Sequence, residues 1–509
     1  MIVVDQLRAD HLDRFRPFFG PSGFNLFFRR GAHFPSARYE HATTETCPSH
    51  AVILTGGYGM VNGIVANEWY DTRLGRPVYC VEDSSAALVG AAGPGRSPRN
   101  LIGATVGDLL KTATAGRSRV VAVSGKDRSA IMLGGKLADA AWWLVDTTFV
   151  TSTYYRPDLP EWVKAFNASG AISRHFGTRW DRILPAAAYA GMGRDDEPSE
   201  ADVAGMGRTF PHPLRTREAF EQSPFLDDVV AEFAMRAVSA EGLGRDTVPD
   251  ILAVSFPATD YVGHVFGPDS HEIMDDVVRL DRTLARLFGF LDRTVGLANV
   301  TLVLTADHGV APMPEVAARG RPGAGPRRLN PAVVDSAASM ALTARFGPAP
   351  APGWIAYDGA PLLYLSRAAM AARHVSLDDA EAVAQTGVRA VPGVHAVLTG
   401  LELTRLRDAA VAGGPASDVV RSFYPPRGGD LYYLLEPYWL PTNQSTGTGH
   451  GSIWRYDQQV PLLWFGRGIV PGAYAGPAVV ADIAPTLSAL LGLVAPGGAQ
   501  GRVLSEVLR

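Results

Sequence analysis

The chain of 509 residues is 47% hydrophobic and 19% charged, a balance that excludes disorder and low-complexity fibre. Its 54 glycines and 37 prolines show no collagen period, and a net charge of −4 leaves no global basic footprint for nucleic acid or anionic membrane. No apolar run approaches the ~20 residues that span a bilayer, and the length fits either about three domains or one large α/β domain carrying insertions.

The first element is a buried strand, MIVVD at 1–5. Asp5 and Arg8 interrupt any apolar region of a secretory signal, so the chain is expected to lack a native leader through processing, cloning or a late start. Asp5, at the strand end, has a plain reading as a turn or helix cap and a functional one as a metal ligand. In TETCPSHAVILTGG, Pro48 and the apolar spacing predict a helix starting near 47–49. Thr46 then falls at or beside the N-cap. Threonine needs no other job there, yet a helix N-terminus also stabilises anions, and a metal-bound hydroxyl there would be an activated nucleophile. Asn67, in GIVANEWYD, reads alone as a turn residue and beside an oxyanion as a hydrogen-bond donor. Cys47 and Cys80 are too few for a disulfide framework or a Cys-rich zinc module; whether they pair once is left open.

Helical spacing over 101–113 leads to a second strand, RVVAVSG at 119–125, which empties into Lys126 and Arg128. In extended chain these two leave on one side and Asp127 on the other. Two cations side by side suit a doubly charged oxyanion, the guanidinium gripping two oxygens and the ammonium acting as a point charge. The bland alternative is a solvated surface pair. Residues 145–222, rich in aromatics, proline and glycine, break the rhythm. His212 and the aromatics near Tyr154 and Trp162 lie in it, where core or lid packing is favoured over substrate contact, and no role is assigned to them.

After a helical stretch at 223–240 comes the strand ILAVSF, 251–256, followed by Asp260 and His264. Four residues apart, they can be aimed at one ion by a helical turn or a tight loop. The long helical pattern over 271–294 precedes VTLVLTAD, 300–307, which delivers Asp307 and His308. Adjacent residues point to opposite sides of an extended chain, so either a loop turns both inward or they serve two ions. Residues 315–440 open with the Gly/Pro/Arg-rich linker ARGRPGAGPRR and carry a mixed α+β pattern ending in GGDLYYLLEPYWL. His450 follows in the loop STGTGHGS, where a surface histidine is an equally good reading and the glycines permit close backbone approach. VPLLWFG and VVADIAPTLSALLGL then return to strand and helix.

This alternation predicts an α/β fold with a mostly parallel central sheet and helices on both faces. The core is expected over 1–144, 223–314 and 441–509, with insertions at 145–222 and 315–440. In open α/β sheets ligands bind beyond the carboxyl ends of the strands. All four apolar runs end in a metal-ligand or phosphate-ligand residue type, and that convergence outweighs each bland reading. Asp and His donors without a thiolate cluster suit Zn²⁺ or a similar divalent ion.

The segments VVDQLRAD, TETCPSHAVILTG, GIVANEWYD, SGKDRSAI, PATDYVGH, TADHG and GTGHGS, in that order from Asp5 to His450, resemble the alkaline phosphatase superfamily in its type I phosphodiesterase/nucleotide-pyrophosphatase-like lineage. Within it the chain is similar to the monoesterase branch with a threonine nucleophile and a Lys/Arg phosphate clamp. The resemblance implies two Zn²⁺ ions. Asp260, His264 and His450 would bind one, and Asp5, Asp307 and His308 the other, with Thr46 as nucleophile beside it. Asn67, Lys126 and Arg128 would hold the phosphoryl oxygens. It further implies a metal-dependent alkaline phosphatase acting on small-molecule phosphate monoesters through a phospho-Thr46 intermediate. The expected form is a monomer without nucleic-acid partner or membrane span, periplasmic or secreted although no export signal is read. The rivals are a phosphodiesterase or nucleotide pyrophosphatase, for which a Lys/Arg clamp is less expected, and a non-catalytic zinc- or phosphate-binding protein on the same fold.

Overall fold

The computed structural model describes residues 1–319, 325–409 and 413–509; the middle of the Gly/Pro/Arg-rich linker, 320–324, lies outside them. A ten-stranded sheet forms the centre. From one edge its strands run Gly472–Ala473, Ala32–His33, Leu462–Gly466, Thr301–Thr305, Ile2–Val4, Ile251–Phe256, Val120–Ser124, Ala140–Val145, Thr148–Ser152 and Leu88–Val89. The five strands from Thr301–Thr305 to Ala140–Val145 are mutually parallel. They are the short apolar runs of the sequence, and a strand such as Val120–Ser124 is buried at every residue. Successive side chains of a strand face opposite ways, so both of its faces are covered.

Register lines up the chemistry. Val4 pairs with Phe256, Val3 with both Ser255 and Thr305, and Ser255 with Ser124. The four strands therefore end at one level, and the residues that follow each emerge at one edge. The strand Leu462–Gly466 runs antiparallel to Thr301–Thr305. On the other side, Ala140–Val145 and Thr148–Ser152 form an antiparallel hairpin, so the 145–222 region begins inside the central sheet.

A second sheet lies within 315–440. Its four antiparallel strands are ordered Ile355–Gly359, Leu362–Leu365, Leu431–Leu435 and Val394–Thr399. With the helices Pro331–Phe346 and Leu377–Arg389 it encloses its own apolar cluster, including Val334, Leu342, Trp354, Leu363 and Val388.

Candidate active site

The helix Thr46–Thr55 is buried at every position, its polar Thr46, Ser49, His50 and Thr55 included. It ends at Gly56, whose left-handed φ of 68° and close packing against Ala499 and Ala484 require glycine. It starts one residue before the expected 47–49, with Thr46 beside the N-cap as expected. Glu45, not Thr46, is the N-cap residue, and no side chain of its own segment caps the helix. The Cys47 N–H instead donates to Asn67 Oδ1 at 2.8 Å, and the Asn67 N–H donates to Glu45 Oε2 at 2.7 Å. The Thr46 hydroxyl is thus free of capping duty and lies 3.4 Å from Arg128 Nη2.

Lys126 and Arg128 do not leave an extended chain together. The backbone turns at once into the helix Asp127–Gly134, with Lys126 as its N-cap residue, and the two side chains diverge. Lys126 Nζ donates to Asp5 Oδ2 at 2.7 Å and to Asp260 Oδ2 at 2.6 Å, fully buried between them. Burial alone would lower its pKa, but the two carboxylates hold it above the usual lysine value. Arg128 points instead to Thr46 and to the Tyr79 hydroxyl, 3.4 Å from Nη1. Tyr79 donates to Asp127 Oδ1 at 2.6 Å, and Arg96 donates to Asp127 Oδ2 at 2.8 Å.

The Asp and His residues gather as two trios, Asp260, His264 and His450 in one and Asp5, Asp307 and His308 in the other. Within each, the candidate donor atoms lie within 4.8 Å of one another. Asp260 and His264 sit one turn apart on the helix Ala258–Phe266, with His264 Nε2 3.1 Å from Asp260 Oδ1. Asp307 and His308 follow their strand in irregular chain, which turns both into the same trio. Three links join the trios: the Lys126 bridge, the stacked rings of His308 and His450 at 3.6 Å, and Gln6. The Gln6 N–H donates to Asp307 Oδ1 at 3.0 Å and its Nε2 to Asp260 Oδ1 at 2.6 Å, from a backbone held at φ 66°.

This donor set fits divalent metal. Each imidazole is oriented through Nδ1 by a backbone carbonyl: His264 by Thr448 at 2.7 Å, His450 by Thr44 at 2.8 Å and His308 by Gly309 at 3.0 Å. Such a bond fixes the tautomer and leaves Nε2 as the ligand atom. Asp5 Oδ1, Asp307 Oδ2 and His308 Nε2 are buried and make no hydrogen bond among the described residues, a costly arrangement for one trio unless a cation completes it. Burial pushes His308 and His450 below the usual histidine pKa, which keeps them in the neutral, ligating form. Burial and the neighbouring Asp307 raise the Asp5 pKa. Burial also opposes ionisation of Asp260 and Asp307, yet His264 and Lys126 beside the first, and His308 and His50 beside the second, hold both carboxyls below the usual range.

Asn67, His264 and His450 line a cavity of about 660 Å³ together with Ala201, Val203, Tyr357, Ala360 and Leu440. All ten residues singled out in the sequence are placed at or beside this cluster. Gln6, His50, Glu45 and Tyr79 were not foreseen. His50, one turn after Thr46, bonds the Thr46 carbonyl at 2.8 Å and lies 3.3 Å from Asp307 Oδ2; its spacing from Thr46 was the available signal. His212, paired with Glu272, and Trp162, bonded to Glu241, serve packing contacts elsewhere. Cys47 and Cys80 form a disulfide.

The family model described as type I phosphodiesterase/nucleotide pyrophosphatase matches residues 1–452. The chain is 34% identical over 518 residues to alkaline phosphatase PhoV of Synechococcus elongatus, covering all of this chain and 92% of that protein. It is 34% identical over 522 residues to alkaline phosphatase PafA of Elizabethkingia meningoseptica, covering 100% and 93%. A crystal structure of wild-type PafA superposes with a TM-score of 0.94 at 33% identity, covering 100% of this chain and 98% of that one.

Proposed function

The chain belongs to the type I phosphodiesterase/nucleotide pyrophosphatase family, and we propose that it is an alkaline phosphatase that hydrolyses small-molecule phosphate monoesters through a covalent phospho-Thr46 intermediate. The observation that carries this reading is the meeting of two linked Asp/His trios with the uncapped Thr46 hydroxyl and the Arg128 guanidinium at one sheet edge. Asp260, His264 and His450 would hold one Zn²⁺, and Asp5, Asp307 and His308 a second beside Thr46. Such a pair of ions, when bound, lowers the pKa of a hydroxyl ligand and neutralises charge on the entering and leaving oxygens of an in-line displacement.

The chain's own groups do the positioning. Thr46 Oγ attacks phosphorus, the O–P bond to threonine forms, the bond to the alcohol oxygen breaks, and the proton given up by the Thr46 hydroxyl ends on the departing alcohol. Water then cleaves phospho-Thr46 to release inorganic phosphate and restore the hydroxyl. Arg128, already within reach of Thr46 Oγ1, holds non-bridging oxygens, and Asn67 Nδ2 donates from the cavity wall. Lys126 supplies a buried positive charge between the trios that favours the dianion of a monoester over the monoanion of a diester. The insertions 145–222 and 315–440 would shape the mouth, since Ala201, Val203, Tyr357 and Ala360 line the cavity. A periplasmic or secreted monomer is the form this reading favours, and a disulfide is at home in an oxidising compartment. Among the described residues no helix is long and apolar enough to cross a membrane.

The test is turnover of p-nitrophenyl phosphate against bis-p-nitrophenyl phosphate, with Thr46→Ala as control. Preference for the monoester and loss of most turnover in Thr46→Ala with metal retained are expected. Near-wild-type steady-state rates in that variant overturn the nucleophile, and preference for the bis-ester points to the phosphodiesterase.

A further inference from the structure

The disulfide sits inside the phosphoryl cradle rather than at the surface. Cys47 follows Thr46 directly, Cys80 follows Tyr79 directly, and the bridge spans 33 residues of chain with both cysteines fully buried. Each cysteine also holds Asn67. The Cys47 N–H donates to Asn67 Oδ1 at 2.8 Å, and the Cys80 N–H donates to the Asn67 backbone carbonyl at 2.9 Å. With Oδ1 occupied, the planar amide presents Nδ2 on its opposite side, and Asn67 lines the cavity. On the far side of Cys80, Tyr79 steadies Arg128 and is itself held by Asp127, with Arg96 stacked over its ring at 4.8 Å. One covalent bond thus stands next to three groups: Thr46, Asn67 and, through Tyr79, Arg128. None of the six Asp and His donors bonds to either cysteine.

We propose that the Cys47–Cys80 bridge is the positioning element of the phosphoryl site, fixing the helix Thr46–Thr55 against the strand Arg76–Tyr79 so that Thr46 Oγ, Asn67 Nδ2 and Arg128 converge on one phosphoryl group. The cysteines touch no substrate and act through Asn67 and Tyr79. A bridge adds to the site only while the groups it aligns are present, because two segments joined by hydrogen bonds alone sample more separations than two joined covalently. Its effect must therefore fall on phosphate affinity and be coupled to Asn67, while metal content is spared. This rests on the phosphatase reading for the identity of the anion.

The experiment is a double-mutant cycle between C47A/C80A and Asn67→Ala. Inorganic phosphate binding is read by calorimetry, kcat/KM on p-nitrophenyl phosphate by absorbance, and metal by elemental analysis. C47A/C80A is expected to keep its metal, bind phosphate at least ~10-fold more weakly and lose kcat/KM by a similar factor. Asn67→Ala, costly in the bridged protein, should cost several-fold less without the bridge. The wild-type chain prepared as the dithiol should regain phosphate affinity on oxidation. Equal cost of Asn67→Ala in both backgrounds, or unchanged phosphate affinity in C47A/C80A, overturns the proposal. So does loss of fold or metal in both the variant and the dithiol chain, which would make the bridge a support of the whole fold. Failure of the bridged wild type to turn over any monoester would refute the phosphatase reading instead, and phosphate binding would still report on the bridge.

Discussion

Gly263 lies on the helix that carries Asp260 and His264, and its replacement by alanine isolates one link between the trios. A Cβ built there would come 1.9 Å from Gln6 Oε1 and 3.0 Å from Gln6 Cδ. Ordinary contact needs about 3.4 Å or more, so either the helix shifts or Gln6 swings away. Gln6 is the softer partner, being the far end of a flexible side chain, but swinging breaks its 2.6 Å bond to Asp260 Oδ1. A hydrogen bond to a charged group is worth about 1.5–3 kcal/mol, against which alanine returns about 1 kcal/mol of helix propensity. Folding stability should therefore fall by about 0.5–2 kcal/mol, while Asp260 loses the partner that orients it. Loss of such outer partners weakens metal sites by about 10–100-fold. On the proposed two-zinc reading, chelator competition on Gly263→Ala should show one metal equivalent released that much more readily. Because the clash acts through Gln6, Gly263→Ala added to Gln6→Ala should cost almost nothing more. Wild-type zinc retention in Gly263→Ala, or a full additional loss in the double variant, would refute the steric link.

Tyr79→Phe removes the hydroxyl shared by Asp127 and Arg128; at about 0.5–1.5 kcal/mol for a hydrogen bond, kcat/KM for a monoester should fall roughly 2- to 12-fold, and an unchanged value would place Arg128 under other control. Stripping metal should lower the thermal midpoint, since three buried donors of one trio make no hydrogen bond. On the proposed zinc reading, free zinc at 100 times its dissociation constant should restore about 2.7 kcal/mol per site, as melts across a zinc series would report. In the second sheet, burial and then Asp335 push the Asp358 carboxyl up to about 7 from 3.8. The folded state keeps that proton until about pH 7 whereas the unfolded chain releases it near 3.8, so the wild type loses stability as pH rises through this window. Urea melts should show Asp358→Asn more stable than wild type at pH 8, with the difference vanishing toward pH 4.

The parallel strands were readable because strands buried on both faces are written as unbroken apolar runs, and in such sheets the chemistry collects where those runs stop. MIVV before Asp5, VVAVS before Lys126, ILAVSF before Asp260 and TLVLT before Asp307 all obey this rule. The long helix His271–Thr294 has the bounds its spacing predicts. Side-chain direction was less readable. An extended chain would project Lys126 and Arg128 together, but the helix begins at Asp127 and splits them. Thr46 does lie beside the N-cap, but the capping bond comes from Asn67, twenty residues away in the chain.

Residue types at strand ends, and hence the metal and phosphate chemistry available to this chain, are properties of the sequence by itself, because local periodicity fixes where each strand stops. Which donors share a trio, that Lys126 lies between Asp5 and Asp260, that Gly263 leaves room for Gln6, and that Cys47 meets Cys80 depend on register and packing between segments dozens to hundreds of residues apart. Those relations are set by how the sheet and helices pack, and only the tertiary structure decides them.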